Sequence, residues 1–145
     1  MADGFARLEH DHREVGELFD DYEQRGDPAQ ARQICFELTV HGEVEEQVLY
    51  PALREFGDKT SEQSDHAEDA HEDITRTIGR IELAEPDDVF DLMQSLRTTV
   101  EDHVREEEES IFPTMRELGI DAAKLARDIE AAKGEAATRS RGTVG

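Results

Sequence analysis

Two pairs of residues, His41/Glu45 and His103/Glu107, each set an imidazole and a carboxylate four positions apart. On a helix that spacing puts both groups on one face, one turn apart, so that they can share a ligand. The second pair follows the first by 62 residues, and the text around it is written twice. His41-Gly42-Glu43-Val44-Glu45-Glu46-Gln47-Val48-Leu49-Tyr50-Pro51 is matched by His103-Val104-Arg105-Glu106-Glu107-Glu108-Glu109-Ser110-Ile111-Phe112-Pro113. The register continues through Arg54/Arg116, Glu55/Glu117 and Gly57/Gly119, with Leu53/Met115 and Phe56/Leu118 as apolar counterparts. Two such pairs brought together supply the donors of a metal site.

Two further histidines fall on apolar stripes of helical period. The first stripe reads Leu8, His12, Val15, Phe19, Tyr22, and the third reads Ala67, His71, Ile74, Ile78, Ile81. The second carries Ile34, Leu38, His41, Glu45, Val48, and the fourth Val89, Met93, Leu96, Val100, His103, Glu107. Each of four helices therefore points one histidine inward. A lone core histidine is usually hydrogen-bonded and structural. Four of them, with two carboxylates, point instead to a cation, because burying Glu45 and Glu107 uncompensated would cost several kcal/mol. Glu46, Glu106 and Glu108 offer a neighbouring carboxylate register, and the stripe favours Glu45 and Glu107.

Other polar residues are read against the same stripes. His66 lies about 90° off the third stripe and His10 about 200° from His12, so both are expected at the surface. Glu68 is expected there too, although it could fill a vacant position beside His71. Tyr22 and Tyr50 read as core or rim packing, although a phenol beside an open metal could bind it or donate a proton. Cys35 reads as a small buried residue rather than a nucleophile.

The elements that must position these groups are all helical, since apolar residues recur at three- and four-residue steps and no alternating strand is visible. The first helix is expected from about Phe5 to Arg25. Asp27 should cap the second, with Pro28 at its first position and Gln30 completing a capping box. Pro51 should kink or tighten the second helix before Gly57 ends it. The third is expected from about Ser61 to Ala84 with Thr60 and Gln63 as its capping box, and the fourth follows Glu85-Pro86-Asp87. Four helices of roughly 20–30 residues joined by short turns predict an all-α, up-down-up-down antiparallel four-helix bundle over residues 1–120. It is built from a duplicated helical hairpin. A short C-terminal helix over 121–133, with Leu125 and Ile129 inward, and a flexible tail over 134–145 complete the expectation.

The formal charge of −21 predicts no nucleic-acid partner and no anionic membrane surface. There is no apolar run long enough to span a bilayer and no leader-like N-terminus. A single cysteine excludes an internal disulfide and fits a cytoplasmic location. Phosphate-binding glycine motifs are absent from the sequence.

The set His12, His41-x-x-x-Glu45, His71, His103-x-x-x-Glu107, with Leu-Tyr-Pro and Ile-Phe-Pro after the second and fourth stripes, resembles the hemerythrin-like (HHE cation-binding) family over residues 5 to 118. The resemblance implies two non-heme iron ions with an oxo or hydroxo bridge. His12 and His41 would hold one, His71 and His103 the other, and Glu45 and Glu107 would bridge them. Zinc or manganese are alternative occupants. Oxygen-carrying members place a further histidine one turn after the first on the third helix, where this chain has Thr75. That departure implies an open position and favours reaction with O2, peroxide or NO, peroxide decomposition included, over oxygen storage. The alternative is an iron- or oxygen-responsive regulatory or interaction module without turnover. A small diatomic or peroxide ligand is the expected partner; no protein partner is read from the sequence.

Overall fold

A computed structural model describes residues 2–144, with side chains described through residue 139. Every element among the described residues is helical: α1 (Gly4–Arg25), α2 (Pro28–Val44), α3 (Tyr50–Arg54), α4 (Asp58–Leu83), α5 (Pro86–Glu106), α6 (Phe112–Glu117) and α7 (Ala122–Val144). One wide π turn, Glu45–Leu49, joins α2 to α3, and a second, Glu107–Ile111, joins α5 to α6. No helix among the described residues is long and apolar enough to cross a membrane.

Local chemistry explains most boundaries. Asp3 caps α1 by accepting from the Phe5 and Ala6 amides, and Gly26 ends it in the left-handed conformation that glycine adopts without a Cβ penalty. Asp27 caps α2 through the Ala29 amide, with Pro28 in the first turn. The expected capping box does not form, because Gln30 Oε1 is buried without a hydrogen-bond partner. The third expected helix begins earlier than Ser61: α4 starts at Asp58 behind Gly57, whose φ is 114°, and the Thr60 hydroxyl donates back to the Gly57 carbonyl.

The two prolines do not tighten their helices. In each case the backbone widens, so that the Tyr50 amide bonds the Glu45 carbonyl and the Phe112 amide bonds that of Glu107, five residues back. A proline has no N–H, and its ring collides with the carbonyl four residues earlier in an α-helix. Widening the preceding turn relieves both problems, and such π turns occur often at functional sites.

Two apolar clusters fill the interior. One gathers Phe5, Leu8, Val44, Leu49, Leu53, Ile111, Phe112 and Met115 with Leu125 and Ile129. The other gathers Val15, Phe19, Ile34, Leu38, Ile74, Ile78, Leu96 and Val100. His12 falls between Leu8 and Val15, His41 between Leu38 and Val44, His71 between Ala67 and Ile74, and His103 between Val100 and Ile111. The histidines thus lie at the seam of the two clusters.

Helix α5 packs along α4, α2 along α1, and α3 against α4. Helix α7 lies across α1 and α2, closely enough that a Cβ at Gly4 would meet Leu125 Cγ at 2.6 Å. It is longer than the sequence suggests. Instead of ending near Lys133 and giving way to a tail at Gly134, it continues to Val144, and Ala132 and Ala136 are buried in the first cluster. Gly145 and the side chains from residue 140 lie outside the described residues. Gly134 carries a helix-interior cost of about 1 kcal/mol relative to alanine, which this packing offsets.

Candidate metal centre

Each candidate side chain reaches the seam from a different element. His12 comes from α1, His41 from the last turn of α2, His71 from mid-α4 and His103 from the last turn of α5. Glu45 and Glu107 open the two π turns and are fully buried. Their donor atoms form two overlapping groups, His12/His41/Glu45/Glu107 and Glu45/His71/His103/Glu107, with all donors in a group within 4.8 Å of one another.

The four Nε2 atoms converge. His12 Nε2 and His41 Nε2 are 3.2 Å apart, and His71 Nε2 and His103 Nε2 are 2.9 Å apart. Around them, His41 Nε2 and His71 Nε2 lie 3.1 and 3.0 Å from Glu45 Oε1. His12 Nε2 lies 3.2 Å from Glu107 Oε1, and His103 Nε2 3.1 Å from Glu107 Oε2.

Three of the four outer nitrogens face acids. Glu108 accepts from His12 Nδ1 at 2.7 Å, Asp11 lies 3.8 Å from His41 Nδ1, and Glu46 lies 3.6 Å from His71 Nδ1. A proton drawn to Nδ1 by a carboxylate leaves a lone pair on Nε2. Two inward lone pairs at 3.2 Å repel each other unless positive charge sits with them. The buried acids make the same demand, for Glu45 Oε2 and Glu107 Oε1 are buried with no hydrogen-bond partner among the described residues. A nitrogen-and-oxygen donor set with unused buried lone pairs fits a transition-metal cation.

Electrostatics agree. Burial disfavours a charged His41, yet Glu45 and Asp11 outweigh it and push the imidazole up to about 10. Burial likewise opposes charge on His103, and Glu107 and Glu45 raise it to about 10. Burial would raise Glu45, but His41 and its other partners hold it well below the usual carboxylate range. The seam attracts cations, whether protons or metal.

Tyr50 was readable from sequence only as packing, with a phenol beside a metal as the other option. Its hydroxyl is at the seam, 2.9 Å from His71 Nε2, 3.4 Å from His103 Nε2 and donating to Glu107 Oε2 at 3.2 Å. In a regular α-helix Tyr50 would stand about 140° around the axis from Glu45. The five-residue turn brings it back to the Glu45 face. Its counterpart Phe112 stacks on His12 instead, with ring centroids 6.2 Å apart. The signal in the sequence was the proline directly after each aromatic.

The remaining candidates sort plainly. Glu68 does not fill a position beside His71; Arg54 holds it at 2.9 Å on the surface. His66 pairs with Glu106 and His10 with Glu14, both outside the seam. Tyr22 stacks on Phe90. Cys35 is buried, and burial pushes its thiol up to about 11. Thr75 lines a cavity of about 620 Å³ that also exposes all four histidines, with Val15, Leu38, Ile74 and Val100 as its apolar wall.

The model of the Hemerythrin HHE cation binding domain matches residues 3–115. A curated relative from Nostoc sp. (strain PCC 7120 / SAG 25.82 / UTEX 2576), named as a DNA nickase, is 34% identical over 112 residues. The match takes in 73% of this chain and 31% of the relative, so the chain spans about a third of that protein's length. No solved structure matches. The relative's name overturns the expectation of no nucleic-acid partner. Net charge averages a field that binding samples locally, so it does not by itself exclude such a partner. Helix α7 carries five basic residues against three acidic ones, within a chain whose total is −21.

Proposed function

The chain belongs to the hemerythrin HHE cation-binding domain family, and from that premise we propose that it holds two non-heme iron ions and binds or reacts with O2, peroxide or NO. The observation that carries this reading is the convergence of four imidazole Nε2 atoms on two buried carboxylates, each with one oxygen that lacks a hydrogen-bond partner among the described residues. His12 and His41 would hold one ion, His71 and His103 the other, with Glu45 and Glu107 between them. The helices would be arranged up-down-up-down, with α7 added to a bundle of residues 1–120. A cytoplasmic setting suits the free thiol of Cys35.

Bound iron would supply one-electron redox chemistry and affinity for small oxygen and nitrogen ligands. The protein's own contribution is threefold. The outer acids orient His12, His41 and His71 so that Nε2 faces inward. The apolar wall of the cavity limits water at the seam, and Thr75 leaves room where another donor could have stood. Tyr50 Oη, on the His71/His103 side, holds a proton within reach of a ligand in that half; burial and the two glutamates keep the phenol protonated, its pKa raised far above the ordinary value.

Elemental analysis after anaerobic ferrous loading tests the reading. The expected result is about two irons per chain, lost in His41→Ala and His103→Ala, with peroxide consumed faster than by free iron. No bound transition metal would overturn it. Two irons without turnover would select the alternative, an iron- or oxygen-responsive regulatory module.

The Nostoc relative favours a second reading, in which this chain acts on DNA as part of a longer system. The excess of basic over acidic residues along α7 supports that reading. Nicking of supercoiled plasmid by the iron-loaded chain, absent from the His103→Ala variant, is the expected outcome under it.

A further inference from the structure

His41 and His103 occupy equivalent places in the duplicated hairpins, yet their outer nitrogens meet different surroundings. His41 Nδ1 lies 3.8 Å from Asp11 Oδ2, a largely shielded carboxylate. Lys133, reaching in from α7, holds both oxygens of Asp11 at 3.0 and 3.1 Å. Asp11 immediately precedes His12; in the second hairpin the residue preceding His71 is Ala70. His103 Nδ1 is correspondingly buried with no hydrogen-bond partner among the described residues. The other two histidines are matched by the duplication, Glu108 serving His12 and Glu46 serving His71. The two halves therefore share the inner donors and differ in one outer acid.

An acid on the outer nitrogen fixes the tautomer, orients the ring and raises the basicity of the inner nitrogen. The His12/His41 group has two such acids, one of them at 2.7 Å; the His71/His103 group has one, Glu46, at 3.6 Å and half exposed. We propose that the two metal positions are inequivalent and fill in order, the His12/His41 position first. Asp11 is the positioning residue that sets this order, and Lys133 is the brace that holds it. Helix α7, which contributes no inner donor, thereby becomes part of the metal centre. This inference rests on the two-metal reading above.

Titration of the metal-free protein with cobalt(II), followed by calorimetry and by visible absorption, tests it without recourse to activity. Wild type should bind two ions in two resolved steps. Asp11→Asn should weaken the tighter step about 10- to 100-fold and spare the weaker one, the range usual for loss of an outer partner. Ala70→Asp, which returns the missing acid to His103, should tighten the weaker step and narrow the gap. Asp11→Glu should recover part of the loss if Asp11→Asn folds poorly. Two equal sites in wild type, or an unchanged tight step in a folded Asp11→Asn protein, would overturn the proposal while leaving the two-metal reading intact. Failure of wild type to bind cobalt at all would overturn both.

Discussion

Tyr50 Oη lies 2.9 Å from His71 Nε2, while Phe112, its counterpart in the repeat, offers His12 only a ring face. The duplicated halves therefore differ in kind on their inner side, and the phenol stands in the half where Thr75 leaves space.

Tyr50→Phe tests what that hydroxyl does. Phenylalanine already fits the equivalent position, so packing should survive and the loss in stability should stay near the ~1 kcal/mol of one hydrogen bond. Iron content should remain near the wild-type value while peroxide consumption falls. Unchanged peroxide kinetics would return Tyr50 to a packing role.

The metal-free protein should have a narrow pH optimum of stability. His41 and His103 are raised from 6.5 to about 10, so the folded state binds more protons than the unfolded chain across that interval. Their contribution is fully present below pH 6.5 and is lost as pH rises toward 10. Glu45 is lowered from 4.5, so its contribution is present above that value and lost as pH falls through the depressed pKa. Urea midpoints of metal-free protein should peak between about pH 4.5 and 6.5. Metal loading should flatten the alkaline limb, since the cation replaces those protons and releases them on binding. A metal-free protein equally stable at pH 6.5 and 9.5 would contradict the sign.

Gly4→Ala tests the seating of α7. The added Cβ would stand 2.6 Å from Leu125 Cγ, and relieving such overpacking costs about 1–3 kcal/mol. Helix propensity pulls the other way by up to about 1 kcal/mol. A drop in the urea midpoint means α7 is packed as described; a rise means that it is not.

The inner site was legible in the sequence because it is local in period. His41 and Glu45 are one helical turn apart, and so are His103 and Glu107, and the apolar stripes assign each a common face without reference to the rest of the chain. His12 and His71 were legible for the same reason, each being the polar interruption of an otherwise apolar stripe.

What the sequence could not decide depends on distances between helices and on one departure from the α-helical period. The stripe arithmetic assumes 100° per residue, so it fails across the π turns, and it left Tyr50 as packing with a role beside a metal only as the other option. The outer acids were invisible because Glu108 and His12 are 96 residues apart and Asp11 meets Lys133 across 122. Helix α7 was underestimated at Gly134, where local propensity argues for an end and burial of Ala132 and Ala136 against α1 and α2 carries the helix on. Periodicity alone turned the four histidines and two glutamates inward. Only the tertiary structure decided what stands behind each histidine, because that depends on neighbours brought together by packing.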